Sequence, residues 1–226
     1  MKKISMLLCA ALITASVAQG YAYNEAATAQ LLEFLSAPRD DHRDNKDEAL
    51  RAAREAMAQF ITLIENGANP NIILPDGREL PLLTSVVVLD FFGVIAQTPN
   101  RVPQENDLTP AEVQEFIAAT HRIIRLLLDH GANPNTCTND GQTALFCACS
   151  PEVARLLIDY GADRSLQDNQ GHTALQRCET GRLSLLENIA QGKVGGFPFG
   201  LSIDTQRNLV AHADAVIEVL KTYRID

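Results

Sequence analysis

A six-residue phrase recurs along this chain and limits what it can fold into. It reads Asn-Gly-Ala-Asn-Pro-Asn at Asn66–Asn71, His-Gly-Ala-Asn-Pro-Asn at His130–Asn135, and Tyr-Gly-Ala-Asp-Arg-Ser at Tyr160–Ser165. Its glycines stand 64 and then 30 residues apart, and a second set of turn residues, Asp76-Gly77, Asp140-Gly141 and Gln170-Gly171, keeps the same two spacings. Two registers that agree define a repeated supersecondary unit. Such a unit buries its apolar side only by stacking on its neighbours.

Local chemistry gives the unit its form. Each phrase follows apolar residues at helical spacing: Phe60, Ile61, Leu63 and Ile64; Ile123, Ile124, Leu127 and Leu128; Val153, Leu156 and Leu157. Glycine directly after such a run can adopt the left-handed conformation that ends a helix and satisfies its last carbonyls, the role expected of Gly67, Gly131 and Gly161. A short extended segment with a tight turn comes next. It leads into Thr143-Ala144-Leu145 and Thr173-Ala174-Leu175, where the threonine hydroxyls are placed to cap new helices.

The same reading predicts helices over Glu25–Ser36, Lys46–Glu65, Leu82–Ile95 and Ala111–Asp129, the last opened by Thr109-Pro110-Ala111-Glu112. In the third unit Ser150-Pro151-Glu152 turns directly from one helix into the next. Thr173–Ala190 reads as a helix with a break at Gly181, and Thr205–Tyr223 as a closing helix with a polar outer face. A charged link, Arg39–Asp47, joins the first two helices. Long interruptions fall at 97–110 and 192–204.

In its best copies, Gly141-Gln142-Thr143-Ala144-Leu145-Phe146 and Gly171-His172-Thr173-Ala174-Leu175-Gln176, the chain resembles ankyrin repeats, whose unit of about 33 residues is a β-turn finger followed by two antiparallel helices. Alanine replaces the proline of the family signature, and Phe146 and Gln176 replace its histidine. The resemblance implies an all-α, ankyrin-like solenoid of about four helix-turn-helix repeats with short β-turn fingers, at 24–71, 72–135, 136–165 and 166–226. It also implies protein–protein binding through finger tips and the inner face of the first helices. Carried onto this sequence, those positions are Ile73, Asp76, Arg78, Asn139, Asp140, Gln142, Gln167, Asn169, Gln170, His172 and Arg177. Asparagine, aspartate and glycine are also what a tight turn demands for its own sake. The 192–204 interruption adds Phe197 and Phe199, aromatic anchors between glycines of the kind enriched at binding hot spots.

Residues 1–22, with Lys2 and Lys3 before an apolar run and small residues near Ala22, read as a signal peptide, which points to export and to a periplasmic location. The chain carries 19 basic and 28 acidic residues; loss of Lys2 and Lys3 leaves 17 against 28, a formal −11. That charge disfavours nucleic acid and anionic lipid, and suits a partner protein with a basic or amphipathic surface. No later run reaches the length of a membrane span, and a monomer is expected.

Without Cys9, four cysteines remain: Cys137, Cys147, Cys149 and Cys178. By the repeat alignment Cys149 and Cys178 take neighbouring-alanine positions of successive first helices, which makes them the candidate disulfide pair. Small buried thiols filling alanine positions are a second reading. A redox or metal-binding function for the four cysteines is the third, although no Cys-x-x-Cys occurs and no metal or other cofactor is expected. No catalytic motif is present: there is no Gly-x-Ser-x-Gly, no phosphate-cradling glycine loop and no His-Glu-x-x-His, so an enzyme is not expected. The expected function is binding and neutralisation of another protein, with an immunity protein against a periplasmic toxin as one setting; the rival setting is periplasmic defence against oxidants.

Overall fold

The computed structural model describes residues 23–36, 46–73, 79–96, 109–193 and 201–224. In chain order its helices are α1 (Glu25–Ser36), α2 (Lys46–Glu65), α3 (Leu82–Ala96), α4 (Pro110–Asp129), α5 (Ala144–Cys147), α6 (Pro151–Asp159), α7 (Ala174–Ala190) and α8 (Ile203–Thr222). Extended pairing among the described residues is confined to two antiparallel bridges, Ile73 with Glu79 and Gln167 with Thr173, one at the base of each of two fingers. The all-α, ankyrin-type fold expected from the sequence is therefore the fold adopted. Residues 1–22, expected to be a signal peptide, the link after Ser36, Asp76 and Arg78, residues 97–108, and Phe197 and Phe199 lie outside the described residues.

Helix ends follow the chemistry of their terminal residues. Thr109 and Glu112 form a reciprocal cap on α4, in which Thr109 N–H donates to Glu112 Oε2 at 2.6 Å and Glu112 N–H donates to Thr109 Oγ1 at 3.3 Å. Ser150 caps α6 by accepting from the Val153 N–H, and Pro151 occupies the first turn, where its missing donor costs nothing. Thr173 and Gln176 form a full capping box on α7, so the glutamine standing where the family has histidine restores a cap. Thr143 does not repeat this. Its neighbour three residues on is Phe146, which has no polar group to return the bond, and Thr143 Oγ1 is buried without a partner while its carbonyl accepts from the Phe146 N–H. Nor does α7 break at Gly181, which runs within the helix, exposed and with nothing within 4 Å of where a Cβ would sit.

Gly67, Gly131 and Gly161 sit at φ 87°, 81° and 88° and end their helices in one way. In each the glycine N–H reaches back three residues and the following alanine N–H five, as in Ala68 N to Leu63 O at 3.1 Å and Ala132 N to Leu127 O at 2.9 Å.

The chain divides into two compact bodies. The first holds the described residues up to Leu82 together with Arg125–Asn133. Here α1 packs on α2 around Leu31, Phe60, Leu63 and Ile64, with the Phe34 and Phe60 rings 6.2 Å apart. Two orphan backbone groups in the helix-ending turn, the glycine carbonyl and the N–H two residues on, need partners. At Gly67 and Asn69 they are served by Asn24 N–H and Thr28 Oγ1 of the α1 start, at 2.7 and 2.8 Å. At Gly131 and Asn133 a single side chain serves both: Asn71 Nδ2 donates to Gly131 O and Asn71 Oδ1 accepts from Asn133 N, each at 2.7 Å.

The second body holds Leu83–Ile124 and the residues from Pro134 onward. Asn135 repeats the clamp on Gly161 O and Asp163 N, at 3.0 and 2.8 Å. The series ends where Arg164 donates to the carbonyls of Leu220 and Tyr223 at the end of α8, both at 3.1 Å. Ion pairs Arg182–Asp214 and Glu179–Lys221 join α7 to α8.

In this body α5 is a single turn of four residues, whereas α3 runs 15 and α7 17. At 1.5 Å per residue the long helices overhang the short one by roughly 15 Å or more. Their distal ends use that room: Val94 of α3 joins Leu201 and Leu209 in a buried cluster, with Phe91 and Leu185 packed against it. Close approach of α3 to α4 rests on Gly93, where a Cβ would lie 2.6 Å from Ile117 Cγ1.

Candidate protein-binding surface

Two fingers of the second body lie side by side. In the first, Thr138 N–H donates to Gln142 O and Gly141 N–H to Thr138 O, both at 2.9 Å; in the second, Asp168 and Gly171 make the equivalent bonds with His172 O and Asp168 O. Both tips need a residue in the left-handed region, supplied by Gly141 at φ 77° and Gly171 at φ 79°. Asn169 ties one finger to the next by donating its backbone N–H to Asp140 O at 3.0 Å and its Nδ2 to Asn139 O at 2.8 Å. The fingers are thus ordered against one another in the isolated chain, despite the missing family histidine.

Asp168 organises the second finger. Its side chain is 2 % exposed, Oδ1 accepts from the N–H groups of Gln170 and His172 at 2.9 and 3.0 Å, and Arg177 Nε lies 3.2 Å from Oδ2. The His172 N–H bond, helped by the Gln170 N–H and the Arg177 and His172 charges, holds this carboxyl below the usual carboxylate range against the cost of desolvation. Arg177 also donates to Gln170 Oε1 at 3.2 Å. Sequence reading placed Arg177, Gln170 and His172 on the binding face and did not single out Asp168, although Asp-x-Gln-Gly is an Asx-turn pattern that signals it.

The predicted contact residues therefore sort by what holds them. Asn139, Asp140, Gln167, Asn169 and Gln170 are exposed, Gln142, His172 and Arg177 are half-buried, and Ile73 is half-buried in the first body beside its bridge to Glu79. Asn139, Asp140, Asn169 and Gln170 are exposed at the two finger turns, and Gln167 is exposed at the base of the second, beside its bridge to Thr173.

The cysteines correct the candidate disulfide. Cys137, Cys147, Cys149 and Cys178 are all free thiols. Cys149 Sγ turns to Cys147 O at 3.5 Å, while Cys178 Sγ points toward Ala213 O of α8 at 3.8 Å, so the two sulfurs face different elements. Burial pushes the Cys149 thiol up to about 12, helped by Asp90, Cys147 and Cys178, and the Cys178 thiol up to about 11, helped by Glu179 and Asp214; burial also raises Cys147. These three thiols are held away from their reactive anion, while Cys137 is exposed. No group of three histidine, cysteine or acidic side chains arranged to hold a metal ion occurs among the described residues.

Helix-turn-helix units with paired, mutually braced fingers define a repeat protein whose business is presenting a surface. Residues 116–193 match the family model for ankyrin repeats, in 3 copies, and this part of the chain is similar to that family. Neither curated proteins nor solved structures gave a significant match to the chain. Ankyrin repeats are typically scaffolds that bind other proteins. Among the described residues, no helix is long and apolar enough to cross a membrane.

Proposed function

We propose that this chain is an exported binding protein that neutralises a toxin reaching the periplasm, docking through its finger plate. The single observation that carries the binding face is the pair of fingers locked together by Asn169, with Asp140 and its polar neighbours exposed along their edge. Fingers ordered before binding lose little conformational entropy on docking. The acidic balance of the chain, 28 acidic against 19 basic residues, favours a partner with a basic rim around its working site. Export rests on the apolar, lysine-headed segment that opens the sequence.

The test is a pull-down from the secreted proteins of competing strains, with Asp140→Lys and Gln167→Glu variants alongside. A toxin should be recovered by the native chain and its binding weakened by Asp140→Lys, with the loss diminishing as salt is raised. Recovery of no secreted toxin, or equal capture by the Asp140→Lys variant, would count against this reading. Signal cleavage is checked separately by N-terminal sequencing of periplasmic protein.

A further inference from the structure

Asp90 lies on α3 with its side chain 0 % exposed, while His121, its partner on α4, keeps 31 % of its side chain open to solvent. His121 Nε2 donates to Asp90 Oδ1 at 2.7 Å, and Asp90 Oδ2 is buried with no hydrogen-bond donor. One member of the pair is therefore sealed and the other can exchange its proton with water. Phe91 follows Asp90 directly and Val94 lies one turn further on, so the pair fixes the stretch of helix that reaches Leu185, Leu201 and Leu209. We propose that Asp90 and His121 form a pH-sensitive latch: protonated His121 holds the distal half of α3 down, and its deprotonation releases Phe91 and Val94 from the cluster on α7 and α8.

A buried carboxylate is tolerated when a cation compensates it, and removal of that charge leaves the carboxylate desolvated and held only by the Nε2–H of a neutral ring. The groups facing the pair reinforce this. Glu152, at the start of α6, adds a second negative charge that acts on His121, and the Cys149 thiol is near enough to feel the Asp90 charge, which helps keep it neutral. The Asp90 hydrogen bond, then the charges of Asp90 and Glu152, hold His121 above its ordinary 6.5 against the opposing effect of burial. The latch is accordingly shut below pH 6.5 and opens as pH rises through the higher, folded-state value. Gly93 lets α3 approach α4 closely beside the pair, since a Cβ there would lie 2.6 Å from Ile117 Cγ1.

Amide exchange of the full chain, corrected for intrinsic rates, tests this at about pH 6 and pH 9. Protection over Val87–Val94 should fall by about tenfold for each pH unit separating the closed and open midpoints of His121, while Val153–Ile158 of α6 serves as the reference. Asp90→Asn should abolish the pH response, and His121→Gln should give low protection at both pH values. Equal protection of the native chain at the two pH values, or an unchanged response in Asp90→Asn, would overturn the latch. Should neither variant fold, the His121 ring signals of the native chain decide: a titration midpoint above 6.5 is expected, and one at or below it refutes the proposal.

Discussion

Asn71 and Asn135 stand at the same place in successive repeats, and each closes the same two bonds on the turn that follows. The part-buried Asn71 clamp gives the stronger test, because both of its bonds are 2.7 Å long and the groups it serves, Gly131 O and Asn133 N, are themselves half-buried. Asn71→Ala removes two hydrogen bonds worth about 1 kcal/mol each and leaves a carbonyl and an N–H only partly reached by water, for a loss of about 2–3 kcal/mol. The more exposed Asn135 clamp lets water take over, so Asn135→Ala should cost about 1 kcal/mol. Asn71→Asp separates the two bonds. It keeps the acceptor for Asn133 N but sets a carboxylate oxygen against Gly131 O, and should be worse than alanine at neutral pH, by about 1 kcal/mol. Protonation returns a donor, so the aspartate variant should regain stability near pH 4 while the alanine variant does not. Urea unfolding followed by far-ultraviolet circular dichroism measures all three, and a loss of 2 kcal/mol corresponds to a melting point lower by about 4–8 °C. An Asn71→Ala loss below about 0.5 kcal/mol, or an aspartate variant no worse than alanine at pH 7, would refute the view that these side chains carry the repeat junctions.

The other expectations concern glycines and thiols. Gly141→Ala should destabilise more than Gly171→Ala in parallel melts: both strain a left-handed residue by about 1–2 kcal/mol, but only at Gly141 does the new Cβ meet the neighbouring finger, 2.7 Å from Asn169 Oδ1. Gly181→Ala should stabilise by about 0.5–1 kcal/mol, because the helix continues through this position and the site is open; a lower melting point would show that α7 needs flexibility there. Thiol titration of a folded chain lacking residues 1–22 near pH 8 should find one fast thiol, the exposed Cys137, with Cys147, Cys149 and Cys178 reacting only after unfolding. Fewer than four thiols in denaturant without reductant would reinstate a disulfide.

Much of the fold was legible in the chain because it is decided within a few residues. The glycines that end α2, α4 and α6, the Thr109–Glu112 and Ser150 caps, and the bounds of α1 and α2 follow from side chains that meet their own backbone. Two local readings failed for equally local reasons: Phe146 cannot complete the Thr143 cap, and one helical glycine at Gly181 costs less than the α7–α8 packing around it supplies. The binding face was legible only by position. Gln170, His172 and Arg177 could be assigned to the fingers from spacing, but their attachment to Asp168 requires knowing that a helix residue nine positions on folds back to the turn.

The sequence by itself determined the repeat, its helix ends and the conformation of its turns, since propensity, capping and left-handed glycines act over one or two turns of chain. Tertiary structure alone decided what the separated parts do to each other: that Asn71 and Asn135 clamp the following turn, that Asn169 braces two fingers, that Cys149 and Cys178 face different elements, and that Asp90 is buried against His121. Those outcomes depend on distances between residues 26 or more positions apart, which are set by the close packing of whole helices and by the overhang of α3, α7 and α8 beyond the single turn of α5.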